Sequence, residues 1–229
     1  MRNGHTMYET VIFDLDGTLL DTLDDLTDAT NAALQKFSLK QRTREEVRSF
    51  VGNGIAKLIE RAVGEDGKRL HGKVLEEFKQ FYALHCADKT APYEGIFPLL
   101  CALREKGIKT AVLSNKADFA VKSLAKSYFD GLLLAAVGEN EAAGIRKKPA
   151  PDALFSVMEE LSTIPQKTVY VGDSDVDIQT AKNAGVDCIC VTWGFRDKAF
   201  MEQAGGEVFV DTPAEILKYI DETKGACLR

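Results

Sequence analysis

The sequence predicts an α/β protein: a Rossmann-like, doubly wound parallel sheet core with an inserted α-helical cap. Three observations carry this expectation. Short β-branched runs alternate with segments of helical period. Those runs are as short as parallel strands buried on both faces should be. Almost a hundred residues separate the first run from the second, too many for one crossover and without a strand-like run of their own.

The strand-like runs lie at 10–13, 109–113, 132–137, 168–171, 188–191 and 208–210. Helical period appears near 97–105, 118–127, 151–161, 176–184 and 213–219, with Gly107 and Gly185 where helix C-caps belong. The insert reads as helices. Leu23, Leu26, Thr30, Ala33, Leu34 and Phe37 keep one face, Ile55, Leu58, Ile59 and Ala62 a second, and Val74, Phe78, Phe81, Tyr82 and His85 a third. We expect a core of residues 1–21 and 91–229 and a cap of 22–90, with Thr90-Ala91-Pro92 near the return hinge.

Composition narrows the function classes. With 45% hydrophobic residues over 229 positions the chain can bury a sizeable core. A net charge of −6 argues against a broad nucleic-acid or membrane footprint. Five cysteines (Cys86, Cys101, Cys188, Cys190, Cys227) without a Cys-x-x-Cys pair suggest neither a disulfide framework nor a thiolate zinc site, and fit the reducing cytoplasm. No apolar run approaches the roughly 18–20 residues of a membrane span. Residues 1–6 read as a tail ahead of Met7, without an apolar signal core.

Polar residues gather at the C-terminal ends of the strand-like runs, where open parallel sheets bind ligands. Asp14 and Asp16 follow the first run, Ser114, Asn115 and Lys116 the second, and Gly172-Asp173-Ser174-Asp175-Val176-Asp177 the fourth, with Lys148 just ahead of the preceding helix. Carboxylates packed so closely repel one another unless a cation joins them, and oxygen donors suit Mg²⁺. Spacing by two puts Asp14 and Asp16 on one side of extended chain, while Gly17 allows an immediate turn. In that pairing Asp14 attacks phosphorus and Asp16 protonates the leaving oxygen, then deprotonates the hydrolytic water. Lys148, the Ser114 hydroxyl and backbone N–H groups complete a phosphate cradle.

The motifs FDLDGTLLDT at 13–22, VLSNK at 112–116, KKPAPD at 147–152 and GDSDVDIQTAKNAG at 172–185 stand in the order of one family. From Val11 onward the chain resembles the haloacid dehalogenase superfamily of aspartyl-phosphate phosphatases. The resemblance implies Asp14 as nucleophile and metal ligand, and Asp16 as acid/base that lends the metal its backbone carbonyl. It implies Asp173 as a ligand and Asp177 acting through water. Around the phosphate it implies Gly17, Thr18, Ser114, Asn115 and Lys148. The Phe50-Val51-Gly52-Asn53-Gly54 loop and the segment 93–116 look most like phosphoglycolate phosphatases, which makes Asn53 a candidate substrate contact. The implied substrate is a small phosphate ester, phosphoglycolate first, with sugar phosphates, nucleotides and pyrophosphate as alternatives; monomer and dimer both stay open.

Rival readings have weaker support. Cys190 and Arg196 have the Cys-x5-Arg spacing of thiolate phosphatases, but Val-Thr-Trp-Gly-Phe is a poor loop for turning N–H groups onto phosphate. Gly52-Asn53-Gly54 lacks the third glycine and preceding strand of a dinucleotide site. A phosphate-storing receiver would need neither Asp16 nor the insert, and a phosphoglucomutase-like transferase differs only in its acceptor.

Overall fold

The computed structural model describes residues 8–140 and 144–225, side chains at 66 and 223–225 excepted. The tail expected at 1–6 lies outside them. Strand β1 (Thr10–Phe13) leads to a two-residue strand β2 (Leu20–Asp21) and then to four helices, α1 (Leu23–Lys36), α2 (Arg44–Phe50), α3 (Ile55–Gly67) and α4 (His71–His85). The chain returns through β3 (Ala91–Pro92) to α5 (Ile96–Glu105), β4 (Lys109–Ala117), α6 (Asp118–Phe129) and β5 (Ala135–Glu139). It finishes with α7 (Asp152–Glu160), β6 (Thr168–Gly172), α8 (Asp175–Ala184), β7 (Asp187–Val191), α9 (Lys198–Gln203), β8 (Val208–Val210) and α10 (Pro213–Gly225).

Six parallel strands form one sheet in the order β5-β4-β1-β6-β7-β8, with β1 in the middle. The position of β1 follows from its composition. All four of its residues are buried, and their alternation feeds two layers: Val11 and Phe13 join one apolar cluster, Ile12 the other. Leu99, Leu103, Ile216 and Ile220 cover the first face, and Leu154, Val157, Met158 and Ala181 the second. Helices on both faces give the doubly wound architecture expected from the alternating pattern.

The helical insert has its own apolar cluster, built from Leu26, Leu34, Leu58, Ile59, Val74 and Phe78 among others. Its four helices include α2, a short element whose Thr43 and Glu46 form a reciprocal capping box. The insert leaves and rejoins the sheet domain through β2 and β3, which pair antiparallel with Asp21 opposite Ala91.

Two strand expectations shift. The second strand continues past Leu113 to Ala117, its pairing with β5 becoming irregular between those residues, so Ser114, Asn115 and Lys116 are strand residues and not a loop beyond it. The third begins at Ala135 because pairing to β4 starts only at Ala111↔Ala135, after Gly131 has turned the chain at φ +72°. Gly107 and Gly185 do sit in the left-handed region at helix ends, at φ +71° each. Among the described residues no helix is long and apolar enough to cross a membrane.

Candidate active site

The ends of β1, β4 and β6 converge on a cavity of about 40 Å³ whose lining includes Asp14, Asp16, Ser114, Asn115, Lys116, Lys148 and Asp173. Asp14 extends the central ladder, its N–H donating to Val171 O at 2.8 Å. Gly17, at φ +84°, then lets the chain turn so that its N–H reaches Leu20 O at 2.9 Å. Between the two acids Leu15 points into the core, fully buried. The sequence expectation that Asp14 and Asp16 share one side therefore holds.

Asp14, Asp173 and Asp177 are all buried, with carboxylate oxygens within 4.8 Å of one another. One buried cation reaches two of them. Lys148 Nζ lies 3.0 Å from Asp14 Oδ1 and 2.7 Å from Asp177 Oδ1, and donates to the Tyr170 hydroxyl at 2.9 Å. Burial pushes the Asp14 carboxyl up to about 7 despite Lys148, with Asp177 and Asp16 adding to the rise. Burial likewise drives Asp173 well above the carboxylate range, reinforced by Asp177 and Asp14. Burial opposes the charge on Lys148, yet Asp14 and Asp177 outweigh it and hold the ammonium protonated. A cluster so short of positive charge, with oxygen donors only, fits a divalent cation.

The three acids are not equivalent. Asp177 is saturated: besides Lys148 at Oδ1, its Oδ2 accepts from Ser174 N–H at 3.1 Å and Ser174 Oγ at 2.6 Å, in the capping box that starts α8. It orients Lys148 and has little left for an ion. Asp173 accepts from Phe195 N–H at 2.6 Å and from Thr18 Oγ1 at 3.4 Å. Glycines make that seat possible. A Cβ on Gly17 would stand 2.3 Å from Asp173 Oδ2, and one on Gly194 2.3 Å from Asp173 Cβ.

Other expected residues fall in different places. Asn115 bridges: its Oδ1 accepts from Lys148 N–H at 2.8 Å while Nδ2 donates to Lys148 O at 3.0 Å and to Gly52 O of the insert at 3.2 Å. Gly17 and Thr18 stand behind Asp173, off the cavity lining. Asn53 is also off it; its Oδ1 accepts from Arg61 at 2.9 Å, and it lines a neighbouring cleft. Cys190 is buried in β7 beside Ile178 and Met201, away from the cavity, so the thiolate reading has no geometry to stand on.

The sequence placed Lys116 at this end of the sheet but gave it no role. It is 4% exposed, donates to Asp16 Oδ1 at 2.9 Å and contacts the Tyr82 hydroxyl of α4. Burial works against its charge, but Asp16 and Tyr82 hold it protonated. Its place next to Ser114 and Asn115 in VLSNK was the available signal. Tyr170 was also missed, hidden as the middle residue of an apolar strand.

The raised acids make metal-free stability depend on pH. Between the ordinary value of 3.8 and about 7 the folded protein holds a proton at Asp14 that the unfolded chain has lost, so stability falls as pH rises. With chelator present, Tm should drop by about 5 °C between pH 5 and pH 8, and a divalent cation should restore it at pH 8. Scanning calorimetry checks this; a Tm that is flat or rises over that interval refutes the electrostatic picture.

Comparisons with known proteins give the family. The family model described as haloacid dehalogenase-like hydrolase matches residues 11–191. A phosphoglycolate phosphatase of Aquifex aeolicus is 29% identical over 92% of this chain and 96% of its own length. One of Pseudomonas putida is 34% identical over 83% and 72%. A crystal structure from Lactobacillus delbrueckii subsp. bulgaricus superposes with a TM-score of 0.87 at 38% identity, covering 93% of this chain and 98% of that one. CbbY from Rhodobacter sphaeroides, solved in complex with phosphate, gives 0.70 at 25% identity over 92% and 96%. The chain belongs to the haloacid dehalogenase-like hydrolases, and it is a phosphatase resembling the phosphoglycolate phosphatases.

Proposed function

We propose that the protein is a Mg²⁺-dependent phosphatase that hydrolyses a small phosphate monoester, phosphoglycolate first, through an aspartyl phosphate on Asp14. The observation that carries it is the gathering of Asp14, Asp16, Ser114, Lys148 and Asp173 on one small cavity. An Asp14 oxygen attacks phosphorus, the ester P–O bond breaks, and Asp16 gives its proton to the leaving oxygen. Asp16 then takes a proton from water, whose oxygen displaces Asp14 from phosphorus. Lys116 and Tyr82 keep Asp16 aimed during both transfers. Ser114 Oγ and Lys148 Nζ offer protons to the phosphoryl oxygens. Held by Asp14, Asp173 and the Asp16 carbonyl, Mg²⁺ would supply the positive charge that lets an anionic nucleophile meet an anionic ester.

Size and lining support a compact leaving group. About 40 Å³ holds on the order of three waters. The insert contributes Leu26, Val51, Gly52, Gly54, Ile55 and Leu58 to the wall, none with a polar side chain. In the same reading the chain divides into a catalytic unit, 1–21 with 91–229, and a cap, 22–90, that opens to admit substrate; the separate apolar cluster of α1–α4 supports this. The odd set of five cysteines suits a cytoplasmic enzyme.

Phosphate release from phosphoglycolate, sugar phosphates, nucleotides and pyrophosphate, with Mg²⁺ and with chelator, tests the proposal. We expect phosphoglycolate to lead in kcat/KM and chelator to abolish turnover. Conversion of a sugar 1-phosphate to its isomer, or a stable phosphoprotein, would replace hydrolysis with transfer or storage. Asp16→Asn should lower kcat by about 10²–10⁴-fold while the Mg²⁺-induced rise in Tm persists.

A further inference from the structure

The stretch Trp193-Gly194-Phe195-Arg196-Asp197 follows β7 and performs no step of the proposed reaction, yet it grips both halves of the molecule. Toward the sheet, Phe195 N–H donates to Asp173 Oδ2 at 2.6 Å and Trp193 Nε1 donates to Thr18 O at 3.1 Å. Toward the insert, the Phe195 ring is buried within the apolar cluster of α1–α4. Arg196 Nη1 donates to Arg48 O at 3.0 Å, and Nη2 to Val51 O at 2.6 Å and Ser49 O at 3.4 Å. The clasp is reciprocal: Arg48 Nη2 donates back to Gly194 O at 3.2 Å and Asp197 Oδ1 at 3.4 Å.

The C-terminal carbonyls of a helix need partners, and a guanidinium can serve them for stability alone. Here the guanidinium comes from outside the insert, and the residue before it holds the Asp173 carboxylate. Seating of the insert and orientation of Asp173 therefore share one short piece of backbone.

We propose that residues 193–197 couple seating of the insert to the cation site, with Arg196 and Phe195 as positioning residues for Asp173. The inference rests on Asp173 as a cation ligand. Partners that fix a ligating carboxylate typically contribute 10–100-fold to metal affinity. Coupling is reciprocal, so Mg²⁺ must in turn steady the loop that Arg196 holds.

Neither readout of the test requires turnover. One is Mg²⁺ affinity, by calorimetry and by the fluorescence of Trp193, the chain's single tryptophan. The other is amide hydrogen exchange at residues 48–54 with and without Mg²⁺. In the unmodified protein Mg²⁺ should slow that exchange. Arg196→Gln should bind Mg²⁺ about 10-fold more weakly, exchange faster at 48–54 and lose the Mg²⁺ response, with Arg196→Lys intermediate. Phe195→Leu keeps the backbone N–H but loosens the ring's seat, and should weaken Mg²⁺ binding in the same direction; it serves as the test should Arg196→Gln fail to fold. Unchanged Mg²⁺ affinity in both variants overturns the proposal, whether or not exchange quickens. A Mg²⁺ response at 48–54 that survives Arg196→Gln overturns it too. Absence of Mg²⁺ binding in the unmodified protein is a different result, and removes the cation reading of Asp173 itself.

Discussion

Asp14→Asn should lower kcat by about 10⁴-fold or more while making the metal-free protein at pH 8 no less stable than before. The two halves of that result have one cause. Asp14 both lines the cavity and continues the central ladder, and in the proposed reaction no other side chain takes its place at phosphorus. The burial of Asp14 pushes its pKa up to about 7, so above that pH its charge burdens the fold when no cation is present. An amide removes the burden along with the nucleophile. Steady-state kinetics and scanning calorimetry on one preparation check both halves. Near-normal turnover would sink the nucleophile assignment, and a large loss of metal-free stability at pH 8 would sink the electrostatic one.

Lys148→Met should cost about 3–5 kcal/mol of stability at pH 8, and lower kcat by about 10²–10³-fold. This contrasts with exposed pairs such as Lys89–Asp28 and Lys57–Glu60, each worth roughly 0–1 kcal/mol. The difference is desolvation. Lys148 is 3% exposed and is, among the described residues, the one cation paired with both Asp14 and Asp177, so its removal strands two buried carboxyls. The sign of the pH dependence follows. Losing Lys148 removes the influence that lowers the Asp14 pKa, the protonated form gains ground, and the deficit should shrink at pH 5 and grow at pH 8. Urea unfolding at the two pH values measures it; an equal deficit at both would show that lost packing, not charge, dominates.

The legible parts of this protein were those written as local pattern. Val11-Ile12-Phe13 declares a buried strand, and Asp14 and Asp16 with Gly17 declare a turn carrying two acids, because period and glycine act within a few residues. Asp173 and Lys148 became readable through motif order. What escaped depends on contacts across long stretches of chain. Lys116 in isolation reads as a solvated lysine until Asp16, a hundred residues earlier, closes on it. Arg196 drew notice only for its spacing from Cys190, whereas its partners are carbonyls nearly 150 residues away. Asn115 carries no local sign of its partners, because its side chain is occupied with Lys148 and with Gly52 of the insert. The two-residue strands β2 and β3 offer too few positions for any periodicity to show.

Those two strands carry an implication for how such a molecule diversifies. Because Asp21 faces Ala91 across a ladder, the insert is topologically the loop of a hairpin, and both of its ends emerge at one place beside Asp16, itself bridged to Leu20. A segment anchored that way can be exchanged as a cassette, longer or shorter, without re-threading the sheet or disturbing the order of its strands. Novel specificities can then arise by swapping what is spliced into a single junction, while Asp14 and Asp16 stay where the central strand put them.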